Sequence, residues 1–398
     1  MNKSLRQIYN MRPEKPRKLL SNYADMLINS GWGERIRYNK LTGTQELDGE
    51  PWDNVATSDI RQWFEQQHSL KPSKGDVEDV TEYLARKNSF DPLEDYFRKL
   101  KWDGVERMDT WLATYLGVVG DVDYIRAVGR SVLISGAGRA LYPGCKVDTM
   151  LLLQGAQGTL KSTAIKVLCP NDDWHEDNLG DIRHKDAEIQ LGSVFIQEIS
   201  ELASFKRADI ETLKSFLSRS ETKIRGAYER HWRKVKRRNI FIGTTNAKVY
   251  LYDDTGNRRF YPAEVGSRIQ IAKLEADRDQ LWAEACAAFL HGEGWVIRDE
   301  RILEMLEDQR DRAQAHDPWE EIIDIGISNG NGVGIDSFGR NYTTVRDVMR
   351  TILDMPVERV TRGHEMRVAS ILATLGWRKS ERCRISGVMV RPWVKENI

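Results

Sequence analysis

The middle of the chain, between residues 149 and 266, alternates short apolar runs with stretches of helical spacing. The runs are TMLLLQG, GSVFIQEI and NIFIGTTN. Continuous apolar runs bounded by turns are typical of strands covered on both faces, as in a parallel α/β sheet. The pattern predicts an α/β core with a parallel sheet over residues 149–315, which ends in helices such as KLEADRDQLWAEACAAFLHG.

The part of the chain before this core has two regions with different sequence patterns. Residues 1–20 are basic and contain prolines, and the following pieces mix short helices with extended segments such as ERIRYNKLTG, so that 1–88 reads as an arm and a small accessory region of mixed α/β character. Residues 89–148 place apolar side chains at helical spacing, in DTWLATYL and DYIRAVGRSVLISGAGRAL. We expect a helical, collar-like region there.

Two helices of the accessory region have polar residues at their expected starts. In VATSDIRQWFEQQ the N-cap is expected at Thr57 or Ser58, and in SKGDVEDVTEYLARKN it is expected at Ser73.

The C-terminal part predicts a linker and a small domain. The segment SNGNGVGIDSFGR is rich in glycine and asparagine, and residues 316–340 are interpreted as a linker. Residues 341–398 read as a helix, a second helix and a hairpin, in TTVRDVMRTIL, RGHEMRVASILATLGW and RKSERCRISGVMVRPWV. This order is typical of a winged-helix-like domain.

Composition narrows the class of protein. The chain has 398 residues, and its 60 lysines and arginines equal its 60 aspartates and glutamates, so a nucleic-acid partner must be met by a local basic patch. No segment approaches the roughly 20 apolar residues of a membrane helix, and the first residues lack the apolar core of a secretory signal. The four scattered cysteines form no CxxC pair, which predicts neither disulfides nor a zinc site. We expect a cytoplasmic protein with no membrane partner.

The segment LLLQGAQGTLKST nearly matches a phosphate-binding loop. That pattern has glycine, four free positions, glycine, lysine, then serine or threonine, and here Leu160 replaces the second glycine. A strand that leads through such a loop into a helix surrounds a phosphate with backbone N–H groups. Lys161 is expected on the β- and γ-phosphates of ATP, and the Ser162 hydroxyl on Mg²⁺. The candidate nucleotide-binding residues are Gly155, Gln157, Gly158, Thr159, Leu160, Lys161, Ser162 and Thr163.

We expect Leu160 to have a negative φ, with its side chain packed outward against the protein and its N–H facing the nucleotide. Gly158 would supply the backbone freedom of the bend.

Three further motifs follow the loop in the order that an oligomeric ATPase requires. In SVFIQEISEL, Glu198 is the candidate catalytic or metal-side carboxylate, with Glu201 as its neighbour. Asn246 ends the run NIFIGTTN, where an amide can contact the γ-phosphate or the attacking water. Arg258 and Arg259, in DDTGNRRFYP, are candidates for an arginine finger that reaches the nucleotide of a neighbouring subunit.

The segment from Arg219 to Arg238 carries nine lysines or arginines against two glutamates, in a chain that is neutral overall. Interleaved aromatic residues fit phosphate attraction combined with base stacking, and the alternation in KIRGAYERHWRKV predicts a hairpin with its turn near Glu229–Arg230. The candidate DNA-binding residues are Arg225, Tyr228, Arg230, His231, Trp232, Arg233, Lys234 and Lys236. Basic residues are also frequent in 341–398, where DNA binding and a protein contact are both open.

These motifs together resemble the virulence-associated protein E family, whose members are relatives of superfamily 3 helicases carried by phages and pathogenicity islands. The resemblance covers residues 85–266 and rests on WDGVERMDTWL, LKSFLSR, FIGTTN and TGNRRFYP, in addition to the loop and the acidic strand. It implies a P-loop AAA+-like core and a hexameric, ATP- and Mg²⁺-dependent DNA helicase. Such a helicase acts on single-stranded or forked DNA in mobile-element replication, beside a primase or a host replication protein.

By the same resemblance, Lys161 and Ser162 belong to Walker A, Glu198 to Walker B and Asn246 to sensor 1. Residues 219–238 match the region of the DNA-tracking hairpin, with Arg230 or His231 near its tip. Leu160, and Gln197 where an acid is often found, depart from the pattern and bear on turnover.

Two other functions stay open from the sequence. One is a nucleotide-gated DNA-binding protein that initiates or loads replication with little motor activity. The other is a small packaging or transposition ATPase, which the absence of a nuclease-like acidic cluster disfavours.

Overall fold

The computed structural model describes residues 19–178, 191–205, 207–224, 233–247, 257–313, 318–335, 340–385 and 388–395. The chain divides into two units. The first contains Met1–Lys248 and Arg258–Asp311, and the second contains Val249–Asn257 and Arg312–Ile398. The predicted arm, at residues 1–20, lies almost wholly outside the described residues, which begin at residue 19.

The first unit begins with a small α/β layer that has its own core. Its helices are α1 (Leu20–Asn29), α2 (Trp32–Arg35), α3 (Asn54–His68) and α4 (Lys74–Lys87), and its strands are β1 (Ile36–Asn39), β2 (Thr44–Leu47), β3 (Glu50–Pro51) and β4 (Ser89–Phe90). The sheet order is β3-β2-β1-β4. The predicted strand and turn in ERIRYNKLTG are confirmed.

One of the two predicted helix caps is wrong. Helix α3 is capped by Asp53, whose side chain accepts a hydrogen bond from the Ala56 N–H. Thr57 instead lies inside the helix, where its hydroxyl donates to the Asp53 carbonyl and accepts from the Trp52 indole. The cap at Ser73 is confirmed, with a reciprocal capping box between Ser73 and Asp76.

The next three helices form the base on which the central sheet packs. They are α5 (Pro92–Lys99), α6 (Trp111–Leu116) and α7 (Val122–Leu141). Fifteen of the twenty residues of α7 are buried, because the helix lies between the sheet and a later helix, α10 (Ile271–Leu290). The predicted helical character of this region is confirmed.

The central sheet has five parallel strands in the order β11-β5-β10-β7-β6. The strands are β5 (Met150–Gln154), β6 (His175–Glu176), β7 (Ile196–Ile199), β10 (Ile240–Thr245) and β11 (Phe260–Glu264). Every residue of β7 and β10 is buried, although successive side chains point to opposite faces. Both faces are therefore covered, as the continuous apolar runs predict.

Three helices and a hairpin complete the first unit. The helices are α8 (Lys161–Leu168), α9 (Arg207–Leu217) and α11 (Glu300–Arg312), and the hairpin joins β8 (Glu221–Ile224) to β9 (Arg233–Lys236). The two strands are antiparallel, with Ile224 opposite Arg233. This confirms the predicted hairpin, while its tip at 225–232 lies outside the described residues.

The second unit is built around a four-stranded antiparallel sheet in the order β12-β13-β17-β14. The strands of the unit are β12 (Val333–Ile335), β13 (Asn341–Thr343), β14 (Arg378–Lys379), β15 (Cys383–Ile385), β16 (Val388–Val390) and β17 (Trp393–Lys395), of which β15 and β16 form a separate pair. Its helices are α12 (Pro318–Ser328), α13 (Val345–Asp347), which continues as a π-helical turn (Val348–Ile352), and α14 (Arg362–Thr374).

The second unit differs from the sequence interpretation at 316–340. That segment was interpreted as a linker, but it contains helix α12 and strand β12. Helix α12 forms because Trp319, Ile323 and Ile327 recur at helical spacing and pack into the core of the unit. The glycine-rich signal begins only after Ser328.

None of the helices in the described ranges combines the length and the apolar composition that a membrane span requires.

Candidate active site

The phosphate-loop segment lies at the carboxyl edge of the central sheet. Strand β5 ends at Gln154, and helix α8 begins at Lys161. The Gly155 N–H donates to the Thr245 carbonyl of β10 at 3.1 Å, and the Val265 N–H donates to the Gln154 carbonyl at 2.7 Å. The loop is therefore fixed on both sides by neighbouring strands, so that its free backbone faces outward from the sheet edge.

The prediction for Leu160 is wrong in two respects. Its φ is +64° and its ψ is 27°, in the left-handed region that glycine favours. Its side chain is 51 % exposed and is not packed against the protein. The physical reason is the geometry of the turn: the residue before α8 must reverse the chain into the helix whichever side chain it carries. Gly158, at φ +80°, supplies backbone freedom as predicted.

Lys161 is buried at the start of α8, although its side chain is charged. Its Nζ donates to the carbonyls of Gly155 at 2.9 Å and Ala156 at 2.8 Å, and lies 3.3 Å from the Thr159 hydroxyl. Burial lowers the pKa of Lys161. The ammonium group thus lies inside the curve of the loop, where the sequence pattern expects it to meet phosphate.

Of the other predicted loop residues, Gln157 and Gly158 are exposed at the turn, and Ser162 and Thr163 are exposed in the first turn of α8. A cradle with accessible backbone and hydroxyl groups is what an anion-binding loop requires.

Glu198 is the residue that contacts most of the other polar side chains of the site. It is 0 % exposed in the middle of β7, and its Oε1 accepts a hydrogen bond from the Ser162 hydroxyl at 2.6 Å. The Ser200 and Thr244 hydroxyls lie 3.2 Å and 3.3 Å from the same oxygen. The structure therefore brings together the loop serine and the strand carboxylate that the sequence pattern paired.

The second oxygen of Glu198 faces a histidine. His175 Nε2 on β6 lies 3.5 Å from Glu198 Oε2, and the His175 side chain is almost fully buried. Burial raises the pKa of Glu198, but the proximity of His175 and the hydrogen bond from Ser162 outweigh it and leave the pKa below its usual value. The polar neighbours of this buried carboxyl group therefore favour its charged form.

His175, Ser200 and Thr244 were missed by sequence reasoning. Strand register explains why they belong to the site. His175 is paired with Ile196 and Glu198 with Ile242, so that His175, Glu198 and Thr244 lie on one face of the parallel sheet. The signal for Thr244 was present in NIFIGTTN, where the polar residues begin two positions before the terminal asparagine. No comparable signal marks His175, because its strand has only two residues.

Gln197, which departs from the acidic pattern, points to the opposite face of β7. Its Nε2 donates to the Glu176 carbonyl at 2.9 Å and to the Glu198 carbonyl at 3.0 Å. It is fully buried and ties β7 to β6. Its role is thus structural, and an acid is not required at this position to complete the Ser162–Glu198 pair.

Glu201 and Asn246 lie nearby but do not join this network. Glu201 is exposed at φ +51°, where the chain leaves β7. Asn246 is exposed directly after β10, and because Thr245 is paired with Gln154, it lies level with Gly155. Neither side chain makes a hydrogen bond to another residue in the described ranges. Both side chains are therefore exposed at the carboxyl ends of the strands, outside the network around Glu198.

Arg258 and Arg259 lie at the amino ends of the parallel strands, opposite the carboxyl ends where the loop lies. They precede β11, whose first residue, Phe260, is paired with Met150 at the beginning of β5. Five residues of strand, at about 3.3 Å each, separate this edge from the loop, a span of roughly 16 Å. The buried Arg310 holds the backbone here through the carbonyls of Arg258 and Phe260. The sheet therefore separates these arginines from the loop of their own chain.

The candidate DNA-binding residues are described only in part. Lys234 and Lys236 are exposed on β9, and Lys234 Nζ pairs with Glu221 on β8 at 2.7 Å. Arg225, Tyr228, Arg230, His231 and Trp232, and the side chain of Arg233, lie outside the described residues.

The residues present fit a magnesium ion only together with a nucleotide. In the described part of the chain, no group of three or more His, Cys, Asp or Glu side chains could hold a metal ion. One hydroxyl and one carboxylate, Ser162 and Glu198, instead match the way Mg²⁺ is held by few protein ligands and completed by substrate phosphates.

Known structures share this fold. The chain is similar to the apo structure of the NrS-1 C terminal region (305-718), with a TM-score of 0.54 and 13% sequence identity over 95% of this chain and 99% of that one. It is also similar to the A form apo structure of the same region, with a TM-score of 0.51 and 13% identity over 94% of this chain and 98% of that one. No curated protein sequence matches the chain.

The model of the virulence-associated protein E-like domain matches residues 97–315, which is more than half of the 398 residues and includes the loop, the acidic strand and the arginine pair. The chain belongs to the virulence-associated protein E-like family.

Proposed function

We propose that this protein is an ATP-dependent DNA helicase or translocase, of the superfamily 3 type, that assembles as a ring and acts in the replication of phage or mobile-element DNA. The observation that carries the proposal is the hydrogen bond between Ser162 and the buried Glu198. It joins a phosphate-loop serine to a strand carboxylate at the carboxyl edge of a parallel sheet, which is where P-loop enzymes hold Mg²⁺ and ATP.

The roles of the other residues follow from their positions. Lys161 can exchange its bonds to the loop carbonyls for bonds to phosphate oxygens, which would return a better charge partner to a buried ammonium. Bound Mg²⁺ would neutralise charge on the β- and γ-phosphates. Glu198 can orient or deprotonate the attacking water, and Asn246 can hydrogen-bond that water or the γ-phosphate.

The position of Arg258 and Arg259 supports action between subunits. These residues cannot approach the loop of their own chain across the sheet, but in a ring the same edge can face the loop of the next subunit. An arginine supplied in this way stabilises charge in the transition state and is worth orders of magnitude in rate. The basic hairpin β8–β9 supports single-stranded or forked DNA as the polymer that the ring moves along.

The direct test is ATP hydrolysis by the full chain with Mg²⁺, with and without single-stranded DNA. Lys161→Ala and Glu198→Gln should each reduce the rate at least about 100-fold, because each removes a charge that acts on the transferred phosphoryl group. Lys166→Ala is the matched control: Lys166 lies on the same helix, but is exposed and pairs with Asp172. Hydrolysis that survives Lys161→Ala and Glu198→Gln as well as it survives Lys166→Ala would contradict the proposal.

A second candidate is a nucleotide-gated DNA-binding protein that loads replication factors with little turnover. The left-handed conformation of Leu160 favours this candidate, because backbone strain and an added side chain in the loop would slow ATP turnover. ATP binding that strengthens DNA affinity, with no hydrolysis above that of Lys161→Ala, would select this candidate.

A further inference from the structure

The second unit carries a long two-stranded arm that the motor described above does not use. Strands β14 and β17 pair at its base and β15 and β16 pair beyond them. The Ser380 N–H donates to the Pro392 carbonyl at 2.8 Å between the two pairs, so that the four strands form one arm, described in residues 378–385 and 388–395.

The arm is strongly basic and its charges face solvent. It has six lysines or arginines and one acidic residue, Glu381. The six basic residues, all exposed, are Arg378, Lys379, Arg382, Arg384, Arg391 and Lys395. Within the described ranges, Arg378, Arg382 and Arg384 make no ion pair, so that a polyanion could bind them without breaking one.

Helix α14, which leads into the arm, adds an exposed face beside its buried one. Val368, Ile371 and Leu372 pack into the core of the unit. Arg362, Met366, Ser370 and Ala373 are exposed and recur at helical spacing. Glu365 is the acidic residue of this exposed surface.

We propose that the described strands of the arm and the exposed face of α14 form a second DNA site, which binds the groove and phosphates of duplex DNA. A two-stranded ribbon and an α-helix are the two elements that the major groove admits. Unpaired arginines supply phosphate contacts, and the small side chains of Ser370 and Ala373 permit close approach of the helix.

The arm favours duplex DNA over single strands because it exposes no aromatic side chain. Single-strand sites stack bases on exposed rings, but Trp393 is the arm's one aromatic residue and is buried. The hairpin of the first unit has the opposite chemistry, with Tyr228, His231 and Trp232 in its sequence. The two basic hairpins are therefore suited to different forms of DNA.

The test uses the full chain and measures binding to a blunt duplex and to an oligothymidine of equal length, by fluorescence anisotropy over a range of salt. Arg382→Ala with Arg384→Ala should weaken duplex binding about tenfold or more. The slope of log affinity against log salt should fall by about 1.8, which is about 0.9 for each of two lost phosphate contacts. Binding of the oligothymidine and ATP hydrolysis should stay within twofold of the unchanged protein.

The control double variant is Lys71→Ala with Lys87→Ala, which removes two exposed charges from the accessory region. Arg362→Ala tests the helix face independently, should the arm variant lose its fold in thermal unfolding. Equal duplex affinity in the arm variant, Arg362→Ala and the control would overturn the proposal and assign the arm to a protein contact. An equal loss of oligothymidine binding would overturn it too, since a single general site would then explain both.

This inference does not depend on hydrolysis. Lys161→Ala should bind the duplex as tightly as the unchanged protein, so that failure of the proposed motor and failure of the second site give different results.

Discussion

Glu198 and Leu160 are two residues of the candidate site whose structural setting the sequence pattern does not predict. Glu198 is identified by its strand, but its environment is not: three hydroxyls surround one oxygen and His175 faces the other. Ser200 follows Glu198 by two residues, but Ser162, Thr244 and His175 come from three other segments, which the order of the strands brings together. The sequence identifies the carboxylate, but it does not identify the residues that shift the pKa of that carboxylate.

Leu160 adopts the left-handed backbone conformation that glycine favours, although it replaces the glycine of the motif. An L-residue in the left-handed region costs about 1–2 kcal/mol, and its half-exposed side chain returns little through burial. The expectation of a negative φ failed because it treated the side chain as the constraint. The turn into α8 is the constraint, and the side chain adapts to it.

Leu160→Gly should therefore stabilise the protein. Relief of the left-handed strain, less about 0.5–1 kcal/mol for the added freedom of the unfolded chain, leaves a net gain of about 0.5–1 kcal/mol. Thermal unfolding should show a Tm higher by about 1–3 °C. Leu160→Ala is the control, since alanine keeps a Cβ and the strain with it. A similar gain from both variants would attribute the effect to the exposed apolar surface instead of to φ.

The four cysteines are predicted to react at different rates. Burial raises the pKa of Cys169 and of Cys286 to about 12, whereas Cys383 is exposed and Cys145 is half-buried with a raised pKa. Because the thiolate is the reactive form, a thiol reagent at pH 8 should label Cys383 rapidly and Cys145 slowly. Cys169 and Cys286 should react only on unfolding. A fast phase that persists in Cys383→Ser would contradict this order.

At the scale of elements, the strands were the most predictable part. TMLLLQG, FIQEI and NIFIGTT are short and continuously apolar, and all three are buried strands of the parallel sheet. Order within the sheet was not predictable. Among the five strands of the central sheet, β11 comes last in the chain but pairs with β5, the first, and this pairing places Arg258 and Arg259 at the end of the strands opposite the loop.

The exit of β11 depends on one close contact between glycines. The Gly266 N–H donates to the Leu116 carbonyl at 3.1 Å, and a Cβ at Gly266 would lie 2.5 Å from the carbonyl oxygen of Gly117, which has φ +65°. Both partners are backbone, so neither can move aside as a flexible side chain would. Helix α6 and the central sheet are held together here.

Gly266→Ala should destabilise the first unit by about 1–3 kcal/mol, the range for overpacking a filled site. Differential scanning calorimetry should show a clearly lower Tm. Gly294→Ala is the matched control, because a Cβ there meets nothing within 4 Å and its φ is not positive. Equal effects of the two substitutions would show that the contact between Gly266 and Gly117 does not constrain the fold.

At the scale of the whole molecule, the chain combines two units for which we propose different forms of DNA. The first unit contains the candidate nucleotide site and a hairpin whose sequence suits single strands, and the second contains the basic arm proposed to bind duplex DNA. The sequence predicted a small C-terminal domain of two helices and a hairpin, and these elements are present. Helix α12 was missed because the neighbouring glycines dominated the composition of the segment.

The proposed ring requires neighbouring subunits to act on one another. Lys161 and Glu198 of one chain are proposed to act with Arg258 and Arg259 of the next, since the sheet separates the two sets within one chain. A chain that lacks its loop lysine can still supply arginines, and a chain that lacks its arginines can still supply a loop. Two inactive variants should therefore complement each other.

The most direct measurement is the ATP hydrolysis rate of a mixture of Lys161→Ala protein and protein with both Arg258→Ala and Arg259→Ala. Each should be nearly inactive alone and should retain its fold by thermal unfolding. In rings that mix freely at equal amounts, about one interface in four joins an intact loop to intact arginines, so that the rate should recover to about a quarter of the unchanged protein's. A rate equal to the mean of the two inactive proteins, or full hydrolysis by the arginine variant alone, would contradict the account.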